Sequence, residues 1–229
     1  MKTGREENPF EDPMVAAQWI RSVEGEQGMI RDKEIYPWLS AWAGQIAGTI
    51  VEIGSGQGVC SQHLGSFKGE YIGVEPSEPL VQRAKQIYAG SRRFVVGTAY
   101  KLPIEDESAD GVFSVTVWFH LADLLTASAE LARVLKPGAP FSIITTNPAS
   151  YRVWETFYEN TTEDGRLLVG KVNVPVNPLT CNTLYRHTLE EMRAPLTQRG
   201  LVVDGVQALG YMGTHPNSPL FINIAGHKE

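Results

Sequence analysis

Residues 49–60, Thr-Ile-Val-Glu-Ile-Gly-Ser-Gly-Gln-Gly-Val-Cys, constrain the fold more than any other stretch. Ile50, Val51 and Ile53 form a short β-branched run that ends abruptly in glycines. A buried parallel strand running into a tight turn has this pattern. Beyond the turn, Val59, Cys60, His63 and Leu64 recur at helical spacing, so a helix is expected to begin near Gly58. Gly54 and Gly56 give the backbone access to positive φ and to close approach by a ligand. A helix start behind them would point unpaired N–H groups outward. Strand, glycine loop and helix together define a ligand-binding turn.

The loop also restricts the ligand. A dinucleotide fingerprint reads G-x-G-x-x-G, but counting from Gly54 its last position holds Val59, and the loop reads G-x-G-x-G. A phosphate-cradling P-loop would need Gly-Lys-Ser/Thr, and no lysine stands here. Tyr71-Ile72-Gly73-Val74-Glu75 reads as a second buried strand ending in a carboxylate. That acid lies about 20 residues past the loop, the spacing of a group that accepts from ribose hydroxyls. Glu52 at the end of the first strand would gain nothing from a diphosphate, whereas a cationic, phosphate-free nucleoside would tolerate it.

Five segments together carry a family resemblance. Val51 to Gly58 resembles the first motif of the class I S-adenosylmethionine-dependent methyltransferases, and Val74-Glu75-Pro76-Ser77 their acidic ribose-binding strand end. Thr98 to Ile104, with Ser108 to Val112 behind it, is similar to the third and fourth motifs, and Glu130 to Gly138 to the turn before strand five. The likeness runs from Thr49 to Asn147 and implies a doubly wound, mostly parallel Rossmann-like α/β sheet of seven strands, the last one antiparallel. It implies S-adenosylmethionine as cofactor, held by Glu52, Gly54, Ser55, Gly56, Gly58, Glu75, Pro76, Thr98, Ala99, Thr116 and Val117. One departure is Thr98, where the family often has an aspartate for the adenine amino group.

Composition agrees with one enzyme-sized domain over 1–229: 42% hydrophobic residues are ample for a core. The net charge of −6, without a lysine or arginine cluster, argues against a nucleic-acid track. No apolar run is long enough to span a bilayer, and the acidic start with Glu6, Glu7, Glu11 and Asp12 is unlike a signal peptide. Cys60 and Cys181 make neither a disulfide framework nor a metal quartet, and His63, His215 and His227 lack ligand spacing. A reducing cytoplasm and no metal are the expectation.

In chain order, residues 1–11 read as a frayed tail. Asp12 and Pro13 open a helix carrying Val15, Ala16, Trp19, Ile20 and Val23. A second helix carries Ile35, Trp38, Leu39 and Trp42, with Pro37 in its first turn. The segment 12–46 reads either as extra core or as a helical cap over the loop, which would bring Arg31 and Tyr36 near the ligand. Leu80, Ala84, Ile87 and Tyr88 mark a helix ending at Gly90, and Phe94 to Val96 a third strand. Gly111 to Val117 is apolar on both faces and therefore central. Leu124 to Leu135 is helical and Phe141 to Thr145 is strand five. This alternation predicts right-handed crossovers and a parallel sheet. Thr188 and Glu191 form a capping box, Pro195 should kink the helix that follows, and Leu201–Val203 and Leu220–Ala225 close the fold.

Between strand five and that helix the chain changes character. Tyr151, Trp154, Phe157 and Tyr158 are spaced as on a helix, and Lys171 to Thr180 places Pro175 and Pro178 among valines, an irregular or edge segment. The segment 148–187 is the candidate substrate-side insertion, facing a small-molecule acceptor. Acceptors that must lose a proton need a base, and His120, just past the central strand, is the catalytic candidate; His187 and Tyr151 are weaker ones. The competing readings are a non-catalytic module that binds the cofactor or its product, and a nicotinamide-dependent oxidoreductase, against which Val59 counts.

Overall fold

The computed structural model describes residues 9–24, 31–88, 90, 92–156, 158–161, 166–172, 179–210 and 219–229. Two helices precede the sheet: α1 (Pro13–Glu24) and α2 (Tyr36–Ala43), the latter entered through a π-helical turn over Arg31–Ile35. Asp12 caps α1, its Oδ1 accepting the N–H of Met14 at 2.7 Å, the role its short side chain suits. Residues 9–11, expected to fray, form a 3-10 turn. Gly25 and Gly28, which interrupt the helical pattern after Val23, and His215 lie outside the described residues.

A seven-stranded sheet follows. Its strands are β1 (Thr49–Ile53), β2 (Glu70–Glu75), β3 (Arg93–Val96), β4 (Gly111–Val115), β5 (Pro140–Thr146), β9 (Leu201–Leu209) and β10 (Phe221–Lys228), with β6 to β8 in a second sheet. The spatial order is β3-β2-β1-β4-β5-β10-β9. β1 to β5 pair in parallel, and β10 runs antiparallel to both β5 and β9. The order reverses at β1, which lies between β2 and β4, and ligands of such sheets bind beside that switch.

Both faces are covered. On one, α4 (Leu124–Val134) and α6 (Leu189–Gln198) bury Leu131, Met192 and Leu196 with Val51, Val112, Phe141 and Ile143. On the other, α2 and α3 (Glu78–Ile87) bury Leu39, Val81 and Ala84 with Ile50, Tyr71 and Phe113. Ile87, expected on the apolar face of α3, is instead 40% exposed. The capping box at Thr188 is present, and α6 runs through Pro195 to Gln198.

Three expectations are corrected. The helix after the glycine loop is a single 3-10 turn, Val59–Gln62. Residues 54–69 must form the loop and also reach β2, which leaves no room for longer helix. α2 covers that face instead: a side chain at Gly65 would collide with Ser40, and Gly44 lies against Ser66. β4 stops at Val115 because Thr116 takes φ +61. The aromatic segment is no long helix. α5 (Tyr151–Glu155) leads to β6 (Tyr158–Thr161), which pairs with β7 (Leu167–Val172) and β8 (Leu179–Tyr185) in a separate antiparallel sheet. Tyr151, Leu184 and Phe119 form a small core there, with Trp154 and Tyr158 against it.

Candidate functional site

The ends of β1, β2 and β4 converge on the glycine loop. Gly54 and Ser55 both donate N–H to the Val74 carbonyl, at 2.7 and 3.1 Å, and Gly58 donates to the Ser55 carbonyl at 2.8 Å. Gly54, Gly56 and Gly58 all have positive φ, +73, +53 and +83, which glycine tolerates without steric cost. Their surroundings divide their duties. A Cβ at Gly54 would lie 2.2 Å from Val117 Cγ2, and one at Gly58 would lie 2.6 Å from Phe94 Cζ. At Gly56 the only neighbour within reach among the described residues is Trp19 Nε1, at 3.7 Å. Gly58 therefore makes the tight packing that a dinucleotide loop assigns to the position of Val59, while Gly56 alone faces open space.

Glu75, at the end of β2, reaches back to that open position. Its Oε2 accepts the Gly56 N–H at 3.0 Å and its Oε1 the Ser77 N–H at 2.9 Å. Burial outweighs those bonds and pushes its carboxyl up to about 7. Each carboxylate oxygen retains capacity for a further donor. Pro76 follows it, half-buried. The side chain of Ser55 packs over Gly73, so its backbone is the part that shapes the loop.

Glu52, which the family likeness assigns to the cofactor, is bonded by a side chain of the neighbouring strand. It is buried, and the Tyr71 hydroxyl donates to its Oε2. Burial raises its carboxyl to about 8, opposed by the bonds from Tyr71 and Cys60 and by the charge of Arg31, while Glu75 adds to the rise. Arg31 also bonds Tyr36, whose ring stacks on His63 at 3.7 Å. Arg31 and Tyr36 thus belong to one polar cluster with Glu52.

The third wall comes from β3 and β4. Thr98 and Lys101 exchange backbone bonds in a tight turn that buries Ala99. Thr116, a β-branched residue at φ +61, is a strained position of the kind that clusters at functional sites. Its N–H is held by the Ile144 carbonyl at 2.8 Å. Val117 packs on Gly54, and a 3-10 turn, Trp118–His120, then presents a half-buried His120.

Residues ahead of the sheet touch the loop and the end of β2. Phe10 accepts the Ser77 hydroxyl on its carbonyl at 2.5 Å, and Gln57 Nε2 donates to the Ile20 carbonyl at 3.4 Å. The Phe10 ring stands 5.4 Å from Trp19 and 6.3 Å, edge-on, from His120. Arg31 lies 5.6 Å above the Trp19 ring. The weaker proton-handling candidates, His187 and Tyr151, make structural contacts, as does His227. His187 is buried against the Leu121 carbonyl, Tyr151 donates to the His187 carbonyl, and His227 pairs with Asp204. Among the described residues no three metal-ligating side chains cluster, and no helix is long and apolar enough to cross a membrane.

The strand order and the site at its switch point define a Rossmann-like methyltransferase fold. Residues 51–143 match the family model of the methyltransferase domain. It is 35% identical over 101 residues to an uncharacterized methyltransferase of Schizosaccharomyces pombe, covering 39% of this chain and 36% of that one. It is 31% identical over 117 residues to the O-methyltransferase resE of Aspergillus sclerotiorum, covering 48% and 43%. The chain thus spans less than half the length of these curated relatives. A solved S-adenosylmethionine-dependent methyltransferase from Methanosarcina mazei superposes with a TM-score of 0.64 at 21% identity, over 79% of this chain and 92% of that one. That likeness carries the fold alone. The family's cofactor fits the residues present: open space at Gly56, a carboxylate on the next strand, and no lysine in the loop.

Proposed function

We propose that the chain transfers a methyl group from S-adenosylmethionine to a small-molecule acceptor. The observation that carries this reading is the pairing of Gly56, the one loop glycine facing open space, with the carboxylate of Glu75. When bound, the cofactor supplies a methyl group already activated by its sulfonium, so the protein's part is to bind, align and exclude water. Glu75 accepts from the ribose hydroxyls, and the loop N–H groups with Ser55, Gly54 and Gly58 shape the cradle. Pro76, Thr98 and Ala99 flank the base, and Thr116 and Val117 close the side toward β4. Glu52, bonded by the Tyr71 hydroxyl, supports the loop from the strand before it. His120 takes the acceptor's proton.

The acidic net charge and the absence of a basic strip support a small acceptor over a nucleic acid. In this reading 12–46 serves as a cap and 148–187 as the acceptor side, in a cytoplasmic enzyme. Titration with S-adenosylhomocysteine by calorimetry tests the cofactor half: absence of heat together with absence of a thermal shift rejects it. Transfer of labelled methyl from S-adenosylmethionine into an extract of small metabolites tests the rest. Binding without transfer would leave a cofactor-binding module.

A further inference from the structure

Two residues distant in sequence hold the turn that carries His120. The turn begins at the strained Thr116, and such strain persists only where the surroundings over-determine it. Inside the turn, His120 donates its N–H to the Val117 carbonyl at 2.8 Å and Leu121 to the Trp118 carbonyl at 3.2 Å. Past His120 the holding groups come from elsewhere. The carbonyl of Leu121 is bonded by His187 Nε2 at 2.7 Å, so that nitrogen carries the proton and donates. The N–H of Ala122 donates to the Tyr100 hydroxyl at 3.1 Å.

Each partner is anchored in turn. Tyr100 lies within the Thr98–Lys101 turn on the cofactor side. His187 follows β8, takes the Tyr151 hydroxyl on its carbonyl at 2.6 Å, and directly precedes the capping box of α6. The peptides just past His120 are thus clamped from the cofactor side and from the insertion at once.

We infer that Tyr100 and His187 are positioning residues that fix the Trp118–Asp123 turn and thereby the orientation of the His120 imidazole. This rests on the assignment of His120 under Proposed function. Neither residue touches reactants in this role; each acts through the peptide bonds beside His120.

The test uses the full chain labelled at histidine, saturated with S-adenosylhomocysteine, with the ring resonance of His120 identified by its loss in His120→Gln. Tyr100→Phe and His187→Leu are expected to shift and broaden the His120 resonance while those of His63 and His227 stay in place. His187→Gln, which keeps an N–H donor for the Leu121 carbonyl, is expected to restore the wild-type position. An unmoved His120 resonance in both variants overturns the inference, whatever happens to their Tm. So does a shift shared equally by His63 and His227, which reports a global change. Tyr100→Phe keeps its ring and carries the test alone where His187→Leu does not fold. Wild-type protein that fails to bind S-adenosylhomocysteine overturns the methyltransferase reading and the inference with it, whereas binding with an unmoved His120 overturns the inference alone.

Discussion

The carboxylate of Glu75 and the N–H of Gly56 meet at 3.0 Å, joining the end of one strand to the loop that follows its neighbour. The group proposed to hold the ribose is therefore also the brace of the loop beneath it. Removing it costs twice, once in ligand contacts and once in loop order.

The first consequence is a pH dependence. Burial raises the Glu75 carboxyl to about 7, and ribose hydroxyls donate best to its ionised form. Affinity for S-adenosylhomocysteine should rise as pH increases through 7. Glu75→Gln should flatten that profile and weaken binding at pH 8 by about 1.5–3 kcal/mol, the range for a bond to a charged group. Calorimetry between pH 6 and 8 checks both.

Gly56 and Gly58 should separate binding from folding. Gly56→Val places a side chain in the open space and should abolish S-adenosylhomocysteine binding, with a stability loss of about 1–3 kcal/mol from its φ. Gly58→Ala drives a methyl into Phe94 and should lower Tm further. Titration and thermal melting of the pair test the division.

Glu52 should make stability fall with pH. Its carboxyl is raised from 4.5 to about 8 in the folded protein, so the folded state binds its proton more tightly than the unfolded state does. Stability from this group is complete below pH 4.5 and is lost as pH rises toward 8. At about 1.4 kcal/mol per pKa unit, the loss by pH 8 is several kcal/mol. Glu52→Gln should remove that slope while keeping an acceptor for Tyr71, as denaturant melts across this range would show.

Trp19 should report ligand entry. Its indole is the group nearest the open side of Gly56. Trp19→Phe should remove most of the fluorescence change that S-adenosylhomocysteine causes. Trp19→Ala should weaken binding by roughly 1 kcal/mol, in keeping with the loss of an aromatic contact.

Local signals were legible in the chain. The β-branched run before Gly54, the carboxylate at Glu75, the cap at Asp12 and the capping box at Thr188 each announce themselves over a few residues, and all stand where they were expected. What escaped depends on partners far away. The separate duties of Gly56 and Gly58 are set by Trp19 and Phe94, and the donor to Glu52 sits on the neighbouring strand. Thr116 carries no hint of a left-handed φ, since β-branched residues avoid it. The second sheet was hidden because Pro175 and Pro178 interrupt the valine pattern from which its strands would be read; both lie outside the described residues.

The brevity of the Val59–Gln62 turn decides how this protein can be dissected. Because α2 roofs the area over Ile50, Tyr71 and Phe113 that a longer crossover would shelter, the residues ahead of β1 are masonry rather than ornament. A trimmed version starting at Thr49 would bare that greasy surface to water and should clump instead of folding, even though the whole segment that matches the methyltransferase domain would still be in it.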